Sequence, residues 1–172
     1  MSLGFVIGEA MPTLVTAQTS RSLPIGEYVI IDSAEGKIIG LAEKSIVSSA
    51  ALDDVNNFDE ALESIEVAEI NKRDKSYTAS IRILGFLESL KKGKAILPAV
   101  PPVPGASIMQ ATKDDLGQIF GPENKEWITI GNLLRNPEID SMINLNKIVS
   151  RHVGILAMTG MGKSNLVTLL AK

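Results

Sequence analysis

The residues of this sequence that could do chemistry lie together near its carboxyl end, as Thr159-Gly160-Met161-Gly162-Lys163-Ser164. An apolar run typical of a buried parallel strand, Val153 to Met158, precedes them and a helix-compatible run, Asn165 to Lys172, follows. Capture of a polyphosphate asks for this order of strand, glycine loop and helix, with the loop pattern G-x-x-x-x-G-K-[ST]. Ala157 stands where that pattern begins with glycine, and Gly162-Lys163-Ser164 are intact. Gly160 and Gly162 let the backbone turn, so that successive N–H groups and the start of the helix face negative charge. Lys163 adds a positive charge between β- and γ-phosphates, and the Ser164 hydroxyl is suited to Mg2+. Ala157 is compatible with a position at the end of the strand, where φ is negative.

The expected nucleotide site is therefore Thr159, Gly160, Met161, Gly162, Lys163 and Ser164, with ATP and Mg2+ as the bound species and Ser164 as the metal ligand. A glycine turn that merely happens to precede Lys and Ser is the bland alternative, and the flanking strand and helix weigh against it. Hydrolysis needs a further acidic residue on a neighbouring strand, and usually an arginine from another subunit. The sequence stops at Lys172, inside the helix after the loop, so no catalytic residue is assigned and no ATP turnover is expected. The single histidine, His152, follows Arg151 just before the apolar run. One imidazole with no cysteine and no second histidine makes a poor metal site, which favours a positioning role at the strand entrance or a subunit seam.

The elements that must hold this loop read differently from those before it. Across the first hundred residues, six short β-like runs alternate with turn residues: Leu3 to Gly8, Thr13 to Gln18, Glu27 to Ile31, Lys37 to Ala42, Ile65 to Asn71 and Ser76 to Leu87. Tyr77, Ala79, Ile81 and Ile83 alternate with Thr78, Ser80 and Arg82, the period of two of a half-buried strand. Asp32 to Gly36 supplies a turn, so Glu27 to Ala42 reads as a hairpin. One short helix is expected near Phe58 to Glu63, where Asn57 and Glu60 form a capping pair. This spacing predicts a small closed barrel or sandwich.

The proline-rich stretch Pro98 to Gly105 favours extended geometry and breaks the strand pattern, which places a domain boundary at about residue 104. A ligand for a proline-recognition module is the sharper reading of that stretch; a stiff connector explains it without a partner. Beyond it, Thr112 caps a helix running through Phe120 and stopped by Gly121-Pro122, and Trp127 to Ile130 reads as a strand. The fold expected is thus a mainly β barrel over 1–104, followed over 105–172 by the truncated start of an α/β P-loop NTPase domain.

Composition bounds the function. Hydrophobic residues make up 45% of the 172 and charged residues 22%, enough for a packed core and against disorder. The apolar stretch from Ala95 to Ala106 is too short and too proline-rich to span a bilayer, no secretory leader is visible, and cysteine is absent. A cytoplasmic protein without a membrane partner is expected. The net charge of -3 is uneven. Residues 1–104 carry 14 acids and 10 bases, against 6 and 7 in 105–172. Asp53 to Glu69 holds seven carboxylates and neither Lys nor Arg. That stretch repels a nucleic-acid backbone and reads first as a solvated helix face, second as a docking patch for a basic partner.

Taken in order, the Gly4 to Gly8 strand, Ile38-Ile39-Gly40, Pro101 to Gly105, Ile130 to Leu134, Arg151-His152 and Thr159 to Asn165 resemble the HerA family of hexameric DNA translocases. The last two groups are the distinctive ones. The resemblance implies a barrel shared with rotary ATP synthase subunits, which assembles the hexameric ring and docks a NurA-like nuclease. It also implies a motor core, opening at about Gly105, that moves double-stranded DNA during end resection. Thr159, Gly160, Gly162, Lys163 and Ser164 then bind nucleotide, with Met161 standing where that family often has serine. Two alternatives remain: a barrel-bearing subunit of a rotary ATPase, against which the Ala157 to Asn165 loop argues, and a non-catalytic oligomerisation and interaction module formed by the barrel alone.

Overall fold

Between Gly4 and Gln110, runs rich in β-branched residues build six strands that close on themselves. The computed structural model describes every residue except 1, 71–74, 122–125, 151–153, 157, 159, 161 and 171–172. Its strands are β1 (Gly4–Ala10), β2 (Leu14–Thr19), β3 (Tyr28–Ser33), β4 (Gly36–Ser49), β5 (Lys75–Phe86) and β6 (Ser107–Gln110). They form a closed barrel in the order β1-β2-β5-β4-β3-β6, antiparallel at every pairing. Closure leaves one continuous interior, filled by side chains such as Val15, Ile31, Ile38, Ile81 and Ile108, all fully buried. Each buried aliphatic side chain of this size contributes about 1.5–3 kcal/mol relative to exposure.

The alternation expected on β5 is observed: Ala79, Ile81 and Ile83 point inward, while Arg82 lies outside and pairs with Glu43 across β4. The expected hairpin is β3–β4, with Ser33 opposite Gly36 across a two-residue turn. The loop before β3 is held by a bidentate ion pair, Arg21 Nη2 to Glu27 Oε1 at 2.6 Å and Nη1 to Oε2 at 3.2 Å. These bonds and the neighbouring charge hold the Arg21 guanidinium above its ordinary pKa.

Two expectations are corrected. Ile65 to Ile70 is not a strand; it is the second half of a helix, α1 (Phe58–Ile70), and Asn71 lies outside the described residues. The cap explains why: the Glu60 N–H donates to Asn57 Oδ1 at 2.9 Å and the Asn56 N–H to the Glu60 carboxylate at 3.1 Å. Once started, the helix meets no Gly or Pro that would stop it. The sixth barrel strand is instead β6, which lies past the proline-rich stretch and pairs with both β1 and β3. A short helix, α2 (Leu87–Lys91), follows β5 directly.

Two compact units result, Met1–Ala111 and Thr112–Lys172. The second opens with α3 (Lys113–Phe120), capped as expected: the Asp115 N–H donates to Thr112 Oγ1 at 3.1 Å, and the Gly121 N–H returns to the Gly117 carbonyl at 2.8 Å. Then come β7 (Trp127–Leu133) and β8 (Asn136–Asn144), paired antiparallel as a two-stranded sheet. The helices α4 (Leu145–Val149) and α5 (Lys163–Leu170) follow, and α3 packs on β8. Among the described residues, no helix is long and apolar enough to cross a membrane.

Candidate phosphate-binding loop

Two glycines and a helix start define the candidate site. Gly160 and Gly162 have φ of 84° and 80°, a region that L side chains rarely adopt. Among the described residues, a Cβ built on either would meet no heavy atom within 4 Å, so conformation and not crowding calls for glycine there. The open space on both residues leaves the backbone approachable. Immediately after Gly162 the chain enters α5, whose first turn is closed by the Leu166 N–H donating to the Gly162 carbonyl at 3.1 Å.

Lys163 and Ser164 are therefore the first two residues of that helix, where backbone N–H groups have no intrahelical acceptor and the helix dipole is positive. Both are exposed. The Ser164 carbonyl accepts from Thr168 Oγ1 at 2.9 Å, a bond along the helix that leaves the Ser164 hydroxyl uncommitted by it. Within its unit, α5 lies against β7. Of the six expected site residues, the structure brings Gly160, Gly162, Lys163 and Ser164 into one turn, and Thr159 and Met161 lie outside the described residues. So do Ala157, Arg151 and His152.

The expected parallel strand at Val153 to Met158 is a correction. Gly154 to Leu156 and Met158 carry no regular structure, and Val153 and Ala157 lie outside the described residues. Leu156 is 98% exposed and Met158 80%, so this run is not the buried strand its composition predicted. A parallel strand is stable only with neighbours on both edges and cover on both faces, and no described strand pairs with this run. No group of three or more His, Asp or Glu able to hold a metal exists among the described residues. The donor set fits a nucleotide phosphate through backbone N–H groups and Lys163, and a Mg2+ carried by that phosphate through one hydroxyl, Ser164. The strand expected at Trp127 to Ile130 is present within β7, but that it lies against α5 had no signal in motif or periodicity.

Residues 128–172 match the family described as Helicase HerA, central domain, a span that contains all of β7 except Trp127, together with β8 and the whole loop. Relatives align over nearly the entire chain. A Methanocaldococcus jannaschii protein named "Probable helicase" is 36% identical over 99% of this chain and 32% of its own length. The DNA double-strand break repair helicase HerA of Sulfolobus acidocaldarius is 34% identical over 100% of this chain and 33% of its own. That of Pyrococcus furiosus is 32% identical over 99% and 31%. The chain thus spans about a third of the length of these relatives. With the alignments running through both units and the matched span enclosing the glycine turn, the chain belongs to the HerA helicase family.

Proposed function

We propose that this chain is the barrel and nucleotide-gripping portion of an ATP-driven translocase or helicase of double-stranded DNA, acting in end resection. The observation that carries the reading is the pair of open glycines at positive φ leading into a helix that begins Lys163-Ser164, inside the span that matches the HerA central domain. In this reading the N–H groups of Gly160 to Ser164 and the Lys163 ammonium hold the β- and γ-phosphates of ATP, with Thr159 and Met161 completing the loop. Ser164 ligates Mg2+, which when bound with ATP offsets the charge on the phosphate oxygens. The functional division follows the compact units: a barrel that assembles a hexameric ring and docks a NurA-like nuclease, then the opening of the motor domain. The protein works in the cytoplasm, and the DNA contacts and hydrolytic residues belong to parts of the motor outside this sequence.

The reading predicts that this 172-residue chain releases no phosphate from ATP above background in a malachite-green assay; robust turnover would overturn it. A second reading has its own support. Because the barrel closes on a complete core, it is equipped to act as an interaction module without the motor. Nuclease binding that survived removal of residues 1–111 from the full-length protein would sink that role for the barrel.

A further inference from the structure

We infer that α1 of one copy docks against the basic turn after α2 of a second copy of this chain. The helix α1 buries no residue of its own. Phe58, Leu62 and Ile65, spaced i, i+4 and i+7, form one apolar stripe and are 76%, 49% and 42% exposed. Helical geometry puts Glu69 at the end of that stripe and Asp59 and Glu66 along one flank. A 13-residue helix whose apolar stripe stays this exposed is marginal in water, so a covering surface stabilises it. Charge states what kind of surface: from Asp53 to Glu69 there is no Lys or Arg, so the cover is basic and partly apolar.

The same chain carries such a surface. After α2, Lys92 and Lys94 are exposed, and beside them Ile96 and Leu97 are about half exposed. This turn is fixed at one end of the barrel by the Phe86 N–H donating to the Ile96 carbonyl at 2.9 Å. The helix sits at the other end. Past the end of the β3 pairing at Leu41, β4 and β5 run on together from Lys44 opposite Ser80 to Ser49 opposite Lys75. They carry α1 at their tip, where its main contact is the 3-10 turn Ala50–Leu52. The two surfaces are separated by the whole of β5, Lys75 to Phe86, roughly 35 Å at about 3.3 Å per residue. Acidic-apolar and basic-apolar faces at opposite ends of one chain meet between copies, and such a head-to-tail contact generates a ring or a filament. The inference deepens the ring assembly proposed above and rests on it for the presence of the second copy.

Analytical ultracentrifugation of the 172-residue chain at low salt tests it, using E66K/E69K, K92E/K94E and the four changes combined. Each pair alone is expected to weaken self-association by at least about tenfold, since like charges then face each other, and the combined variant, with the charges exchanged, is expected to recover it. Circular dichroism of each variant confirms that α1 and the barrel remain folded. Association that ignores both reversals, or a combined variant no better than either pair, overturns this contact and leaves ring assembly by another surface standing. If the unaltered chain and every variant stay monomeric, both this contact and barrel-driven assembly fall, and the α1 face is left to a basic partner of different sequence.

Discussion

The barrel and the loop-bearing unit are built on opposite terms. In the barrel every strand has a neighbour on each side, and thirteen of the described residues form one buried cluster. Among the described residues of the second unit the sheet has two strands, Leu116, Leu133 and Ile139 are buried, and Leu156 and Met158 stand in solvent. Stability therefore resides in the barrel, whereas the residues with chemical potential sit on the less consolidated part. The difference teaches that a phosphate loop needs little local core to take its turn, because two glycines and a helix start define it, but needs surrounding sheet to become rigid.

The sharpest way to break this comparison is to truncate one β-branched side chain to alanine on each side. Ile81→Ala, at a fully buried position on β5, is expected to cost about 2–5 kcal/mol, read as a shift of the denaturant midpoint. Val167→Ala, at a half-exposed position on α5, is expected to move it by less than about 0.5 kcal/mol. Equal losses would show that the second unit is as well consolidated as the barrel.

A smaller effect is expected where the second unit is pinned by a cap. Thr112→Ala removes the acceptor for the Asp115 N–H and should cost about 1 kcal/mol of α3, with the barrel unaffected, seen as loss of amide protection confined to residues 113–120. Loss of protection spreading into β3 or β4 would contradict the independence of the units.

The smallest effect concerns pH. Lys113 Nζ lies 2.8 Å from Glu138 Oε1, and its hydrogen bond holds the Glu138 carboxyl below its ordinary pKa. A depressed carboxylate contributes stability above its unfolded pKa and loses it as pH falls through the folded value. Both side chains are largely in water, so the contribution is slight and screened by salt. Lys113→Met is expected to raise the Glu138 titration toward the ordinary carboxylate range, part of the lowering remaining through its backbone hydrogen bond, and an unchanged NMR titration would refute the pairing.

Much of the barrel was legible because alternation survives in a half-buried strand: Ala79, Ile81 and Ile83 read correctly, as did the turn between Ser33 and Gly36. Ile65 to Ile70 misled for the same reason. Ile65, Val67 and Ile70 interleaved with acids imitate alternation, while the capping pair eight residues earlier decided for helix. The strand β6 was hidden by its length of four residues and its place just after the prolines, where only tertiary pairing with β1 and β3 defines it. At the candidate site, glycine spacing announced the positive-φ turn and the helix start. The apolar run before it carried no information on whether its neighbouring strands were at hand, and a parallel strand exists only through them.

The central claim is that the turn at Gly160 to Ser164 grips a polyphosphate and that Lys163 supplies the charge. The most direct measurement is ATP-driven movement on double-stranded DNA by the full-length protein with and without Lys163→Ala. The account predicts that the variant still folds and assembles but loses ATP consumption and movement together, by at least about a hundredfold, the scale at which charge stabilisation of transferring phosphate is lost. Movement and ATP consumption at the unaltered rate would contradict it.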